Sequence, residues 1–292
     1  MEIALYARSI REEDLPFMQH LLDRLRSKHI TISGYENLIK QLPPDWSKQY
    51  NITSFSSHTD IAGKADFMFS LGGDGTLLDT LIYVRNYDIP VMGINLGRLG
   101  FLATISKDEI NEAIDAIVAG SYVSDKRTLL QMDSNKELFG SVNYGLNEFS
   151  IHKRDDSAMI IVRTYINGEF LTSYWADGLI VASPTGSTGY SLSCGGPIVI
   201  PSASNFVITP IAPHNLNVRP IIVPDDSIIS FEVEVRGDSF LCTLDARFEK
   251  VDSTVELAVK KCPFQFTLIR LSDTNFLNTL SAKLMWGADR RN

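Results

Sequence analysis

Gly72-Gly73-Asp74-Gly75-Thr76 combines bare backbone with a placed carboxylate, the two features that phosphate chemistry on a hydroxyl acceptor would use. The apolar run Phe67 to Leu71 ends just before it and a helical stretch follows, so the glycines fall where a strand turns into a helix. Glycine permits close backbone approach there, and amides at the helix start can face an anion. Gly72, Gly73, Gly75 and Thr76 are therefore the candidate phosphate loop. The string matches neither the P-loop nor the Rossmann fingerprint. Asp74 is its unusual member, because a bare anion site gains nothing from a negative charge. It can act as a general base beside a reacting hydroxyl, as an outer-sphere partner of a metal on the phosphates, or as a cap on the following helix.

A second glycine-rich stretch runs from Ala176 to Pro197 and contains Asp177, Thr188, Gly189, Tyr190, Ser191, Leu192 and Ser193. Its amides and hydroxyls could converge on a polar ligand. The alternative is a flexible linker, but linkers rarely include an apolar strand and an embedded tyrosine. Asn147-Glu148, after the strand-like Val142 to Leu146, offers a two-faced amide and a carboxylate, suited to a diol or a base edge, although alone the dipeptide reads more readily as an ordinary surface turn. Cys194, Cys242 and Cys262 form no CxxC pair, and His20, His29, His58, His152 and His214 show no metal-ligand spacing. No metal site built from protein side chains is expected.

The elements that must position these residues alternate in the first third of the chain. Glu2 to Tyr6 reads as a strand, and Asp14 to Arg26 as a helix with Leu15, Met18, Leu22 and Leu25 on one stripe. Pro43-Pro44 and the polar stretch through Ser57 read as a loop or an irregular excursion. Phe67 to Leu71, a helix over Thr76 to Asn86 and Pro90 to Ile94 form a βαβ unit, and Lys107 to Ala119 reads as another helix. Beyond about Ser121 the period shortens to alternation, with strands expected at Met159 to Ile166, Leu179 to Ala182, Ile228 to Val235, Phe240 to Leu244 and Thr254 to Val259. Asn275 to Trp286 regains helical spacing through Phe276, Leu280 and Leu284. The expectation is an α/β N-terminal domain over 1–122 plus about 273–292, its terminal helix returning to it, and a β-rich domain over 123–272.

Composition narrows the class. Of 292 residues, 44% are hydrophobic and 21% charged, which fits a folded globular chain and excludes wholesale disorder, collagen or coiled coil. A net charge of -8 argues against a surface that wraps nucleic acid. No apolar run is long enough to span a bilayer, and charges fall early, where a signal peptide needs apolar residues. A cytoplasmic protein without membrane attachment is expected.

Taken together the motifs resemble the bacterial-type NAD kinases, in which the same strings follow one another in order. They are Gly72 to Thr76, Gly93-Ile94-Asn95-Leu96-Gly97-Arg98-Leu99-Gly100-Phe101-Leu102, Asn147-Glu148, the 176–197 stretch and Thr209-Pro210-Ile211-Ala212-Pro213-His214. The resemblance covers about Asp66 to Pro224. Diacylglycerol and sphingosine kinases and phosphofructokinases share the glycine-aspartate loop alone, and the α/β domain is expected to be Rossmann-like in their manner. A lipid kinase would need a route to the membrane, and no basic amphipathic helix or polybasic tract supplies one. A nucleotide-binding regulator without chemistry is a further alternative, against which the intact loop and Asp74 argue.

The resemblance implies transfer of the γ-phosphoryl group of ATP, or of polyphosphate in some members, to the 2′-hydroxyl of the adenosine ribose of NAD. Asp74 would be the base, accepting the proton as the phosphoryl group moves, and Mg²⁺ or another divalent cation would arrive on the phosphates. Asp74, Gly75, Asn147, Glu148, Asp177, Thr188, Gly189, Tyr190, Ser191, Leu192, Ser193 and Ala212 would contact NAD. A homo-oligomer, dimer or tetramer, is implied as well. Some positions depart from the family pattern. Asp245-Ala246-Arg247 replaces a common Asp-Gly-Gln, and Ala158 and Trp175 stand where His or Arg is frequent. Asp79 occupies a position that is often basic, so the phosphates are expected to rely on backbone amides and metal rather than on a side chain there.

Overall fold

Runs that are apolar without alternation bury every residue: Phe67–Leu71 and Val91–Ile94 have no exposed position, as strands covered on both faces require. The computed structural model describes residues 1–154 and 158–286; residues 155–157 and 287–292 of the expected domains lie outside the described residues. The chain divides into two compact units, Met1–Lys126 with Phe266–Asn292, and Arg127–Gln265.

The first unit is built on a parallel sheet ordered Thr53–Phe55, Thr31–Tyr35, Glu2–Tyr6, Phe67–Leu71, Val91–Ile94 and then the end of Leu257–Arg270, whose Leu268 and Ile269 pair with Val91 and Met92. Helix Leu15–Ser27 presents Met18, Leu21, Leu22 and Leu25 to that sheet. Ile110–Ala119 packs beside it and stops at Gly120, whose φ of 70° continues the chain in the left-handed region. Helix Phe276–Leu284 starts where the Asn275 side chain accepts from the Asn278 amide at 2.9 Å. It belongs to this unit, and Lys283 lies over the Phe101 ring.

Three expectations change here. The helix expected over Thr76 to Asn86 is two short ones, Asp74–Asp79 and Leu81–Val84. Thr80 interrupts it, because its hydroxyl donates to the Leu77 carbonyl at 2.6 Å and draws the backbone into a tighter turn. The expected loop through Ser57 contains helix Trp46–Gln49 and the three-residue edge strand Thr53–Phe55, which shows only Phe55 to the core and so reads as polar. Only Tyr144–Gly145 of Val142 to Leu146 is strand.

The second unit is a β-sandwich. One sheet is antiparallel in the order Ile221–Pro224, Asn205–Ile211, Gly178–Ala182, Glu148–His152, Phe240–Leu244, Arg247–Val251. Glu169–Ala176, Ile160–Ile166, Ile229–Glu234 and the start of Leu257–Arg270 form the other layer. Alternate residues such as Phe149, Ile151, Leu179 and Val181 meet Val162, Tyr174 and Phe231 between the layers. The strand expected over Thr254 to Val259 runs instead from Leu257 to Arg270. Pro263 conceals its length: it cannot donate to a ladder, and it falls between the stretches paired at Leu257–Val259 and at Leu268–Ile269.

Candidate active site

In the first unit, strand Phe67–Leu71 delivers Gly72, whose φ is 152° and where a Cβ would lie 2.5 Å from Thr76 Oγ1. Asp74 is the first residue of the next helix, and its carboxylate does not cap that helix. It reaches the loop after Val91–Ile94, where Oδ2 accepts from the Phe101 amide at 2.8 Å and Oδ1 accepts from the amides of Leu102 and Ala103 at 3.0 and 2.9 Å. Gly100 makes room for this, since a Cβ there would overlap the carboxylate. A carboxylate has about four acceptor positions. Three are filled, and the one left on Oδ2 can receive a hydroxyl proton. Asp79 closes the same helix and accepts from the Tyr6 hydroxyl at 3.1 Å and from Arg8 through Nη2 at 2.6 Å and through Nε.

In the second unit, Glu148, Ser150 and His152 share the face of their strand opposite Phe149 and Ile151. The segment after Gly178–Ala182 runs along that face. A Cβ on Gly186 would overlap the Asn147 carbonyl oxygen, and one on Gly189 would come to 3.0 Å from Glu148 Oε2 and 3.4 Å from Asn147 Nδ2. Tyr190 stacks on His152, with ring centroids 5.8 Å apart. Burial pushes His152 down and keeps its imidazole neutral. At the opposite end of the neighbouring strand, Asp177 pairs with Lys153 at 2.8 Å, and its amide donates to Ile211, next to Ala212. Ala212 is exposed and holds a φ of 44°. The hydroxyl of Ser191 is turned inward, bonded to Thr209 at 2.8 Å, and Thr188 donates to the Thr185 carbonyl. Leu192 is half-buried, whereas Ser193 and Tyr190 are exposed.

Asp245 lies beneath this face. Its Oδ2 accepts from the Leu146 amide at 2.8 Å, and Oδ1 accepts from the amides of Asn147 and Glu148 at 2.8 and 3.1 Å. Burial raises Asp245 against the pull of those three amides and of Arg247. Glu148 is pushed up to about 8, first by burial and then by the Asp245 charge. Among the described residues, Asn147 Oδ1 and Glu148 Oε2 are buried without a hydrogen-bond partner. Buried polar atoms are rarely left so, and a ligand with hydroxyl and amide donors would satisfy both.

Comparison with known proteins fits these two clusters. Residues 4–122 match the model of the ATP-NAD kinase N-terminal domain, and residues 146–271 that of the ATP-NAD kinase C-terminal domain. The NAD kinase of Cytophaga hutchinsonii is 51% identical over 298 residues, and that of Flavobacterium psychrophilum is 42% identical over 294, each alignment spanning all of both chains. The chain belongs to the NAD kinase family. Its members are phosphotransferases that make NADP. The fold agrees: a crystal structure of yeast NADH kinase complexed with NADH superposes with a TM-score of 0.87 at 22% identity, covering 100% of this chain and 89% of the other.

Within this NAD kinase family chain, Arg247, which departs from the common pattern, donates to the carbonyls of Val142 and Tyr144. Asp245, which keeps the pattern, turns with a φ of 52°, and both brace the strand entry that carries Asn147. Trp175, 53% exposed, and Ala158 line a cavity of 320 Å³ with Met159, Glu234 and Arg236. Sequence reasoning missed three features of these two clusters: the amides of Phe101 to Ala103, the brace at Asp245 and the guanidinium of Arg8 beside Gly75. The first two were signalled by glycines, Gly100 and Gly145, that precede the amide runs. Nothing in the sequence pointed to Arg8.

Proposed function

We propose that this chain transfers the γ-phosphoryl group of ATP to the 2′-hydroxyl of the adenosine ribose of NAD, with Asp74 as the base. The observation that carries the reading is the Asp74 carboxylate, locked by three amides with one acceptor position left on Oδ2. A carboxylate is a weak base toward a ribose hydroxyl, so the proton moves as the phosphoryl group departs rather than before. Amides of the Gly72 to Thr76 loop hold the phosphates. ATP enters with Mg²⁺ or another divalent cation, which neutralises developing charge and needs few protein ligands.

Asn147 and Glu148 receive the adenosine ribose and base. A protonated Glu148 both donates and accepts, which suits a diol. Asp177 holds the nicotinamide-side ribose or amide, Ala212 is a small residue beside the adenine, and Gly189, Tyr190 and Ser193 line the dinucleotide. Thr188 and Leu192 lie beside them, and Ser191 contributes main chain, its hydroxyl being committed to Thr209. We extend the reading to a cytoplasmic homo-oligomer, dimer or tetramer, and to polyphosphate as a possible second donor. Among the described residues no helix is long and apolar enough to cross a membrane.

The test is NADP formation from NAD, ATP and Mg²⁺, read through an NADP-specific dehydrogenase, with Asp74→Asn alongside. Activity in the parent and its loss in a folded variant is the expected result. Equal turnover in both would move the base elsewhere, and silence from the parent with ATP and with polyphosphate would overturn the reaction.

A further inference from the structure

We propose that Arg8 grips the phosphate chain of the donor nucleotide, and that Asp79 and Tyr6 exist to aim it. The inference rests on the kinase reading above and assigns a positioning residue which that reading lacks. Arg8 follows strand Glu2–Tyr6 after one residue, Ala7, and its backbone is fixed by Gln41, whose side-chain oxygen accepts from the Ile10 amide at 2.8 Å while its amide group donates to the Arg8 carbonyl. Asp79 binds the guanidinium edge formed by Nε and Nη2. Among the described residues Nη1 has no hydrogen-bond partner, yet it lies where a Cβ on Gly75 would meet it at 3.4 Å. The second guanidinium fork, formed by Nη1 and the remaining N–H of Nη2, therefore stands beside the glycine loop. A planar fork of this kind matches two phosphate oxygens.

The aim of that fork depends on a rigid base. Tyr6 is buried, its ring packed 5.0 Å from Tyr35 and 5.2 Å from Tyr83, and its hydroxyl fixes the oxygen of Asp79 that Arg8 Nε also uses. Asp79 thus cannot swing to follow Arg8; the guanidinium must come to it. The Arg8 side chain is 48% exposed and so remains open to a ligand. Asp74–Asp79 is only six residues long and offers no extended dipole, so the guanidinium of Arg8 supplies positive charge beside the loop. An acidic Asp79 beside a phosphate loop then makes sense, because the residue is a tether for a cation.

The decisive experiment measures initial rates over a matrix of ATP and NAD concentrations for the parent chain, Arg8→Ala, Arg8→Lys and Asp79→Asn. A charge-assisted bidentate contact predicts that Arg8→Ala raises KM for ATP by about 10- to 100-fold while KM for NAD stays within about twofold. Added guanidinium should restore part of that loss at limiting ATP. Arg8→Lys, which keeps the charge and loses the fork, should be intermediate, and Asp79→Asn should shift KM for ATP in the same direction by less. An unchanged KM for ATP in Arg8→Ala, or a parallel rise in both KM values without guanidinium rescue, overturns the proposal. If Arg8→Ala does not fold, Arg8→Lys decides by the same criterion. If the parent makes no NADP, the kinase reading fails; titration calorimetry of parent and Arg8→Lys with Mg·ATP and with adenosine then judges Arg8 separately. Support is a loss confined to the nucleotide that carries phosphates, and equal heats for both proteins are refutation.

Discussion

Asp74 and Asp245 use the same device in two different units. Each gathers three consecutive main-chain amides, the first on Oδ2 and the next two on Oδ1. Each run is preceded by a glycine, Gly100 or Gly145, whose missing side chain lets the carboxylate approach. Such a nest of amides suits an anion whatever its role. What surrounds the anion then sets the role. Asp74 lies within a glycine loop and keeps an acceptor position, which the proposed reaction gives to the ribose hydroxyl. Asp245 lies in a tight turn under the strand that carries Glu148, and the outcome there is a posed and partly neutralised ligand-binding edge rather than a base. Identical hydrogen bonding can therefore serve chemistry in one place and architecture in another.

The sharpest way to break this comparison is to remove one charge at a time. Asp74→Asn should lower NADP turnover by about 10²- to 10⁴-fold, the usual worth of a placed general base, and should also lose about 1–3 kcal/mol in urea unfolding, because its amide group meets the same kind of backbone donors. Asp245→Asn should keep turnover within about tenfold of the parent and lose about 1–3 kcal/mol in urea unfolding, because its amide group faces backbone donors. If both variants lose turnover equally, the division of roles is wrong. The glycines come next. Gly100→Ala should cost more turnover than Gly145→Ala, since a Cβ at Gly100 overlaps its carboxylate whereas one at Gly145 sits 3.0 Å from Asp245 Oδ1 and needs a shift of a few tenths of an ångström. Steady-state rates of the two variants, run side by side, decide the ranking.

The smallest effect is electrostatic. Glu148 ionises in the unfolded chain near 4.5 but in the folded chain near 8. Between those values the folded state holds the extra proton, so this group's contribution to stability falls as pH rises through that window and is level outside it. Glu148→Gln should remove that slope, gaining about 1–3 kcal/mol relative to the parent at pH 8 over its difference at pH 5 in urea titrations. Asp245→Asn should flatten the slope in part by removing the charge that helps to raise Glu148. An identical pH dependence in parent and Glu148→Gln would exclude Glu148 as its source.

Much of this was legible in the chain. Unbroken apolar runs marked the central parallel strands, alternation marked the sandwich, and glycine density marked both loops. Period and composition report burial, so they failed where burial was uninformative: at the polar edge strand Thr53–Phe55, and in Leu257–Arg270, where Pro263 interrupts the ladder without ending the strand. The site was legible as residue types but not as orientations. The hydroxyl of Ser191, unlike those of its neighbours, turns inward to Thr209, and Arg8 is 64 residues before the loop it stands beside, a pairing made only by the parallel packing of Glu2–Tyr6 on Phe67–Leu71. The sequence leaves Asp74 open between base, outer-sphere partner of a metal and helix cap, and its carboxylate does not cap the helix.

The chain leaves the first unit near Lys126 and rejoins it at Phe266. During synthesis this order matters. When the ribosome has made the first five strands of the parallel sheet, Val91–Ile94 still lacks its outer partner, because Leu268 and Ile269 are some 175 residues away in the chain. The second unit, whose strands all fall between those points, can close as soon as Leu257–Val259 emerges. The first to be made is then the last to be finished, and nascent chains halted before Leu268 should expose the edge at Val91–Ile94 to proteolysis while the later unit is already resistant.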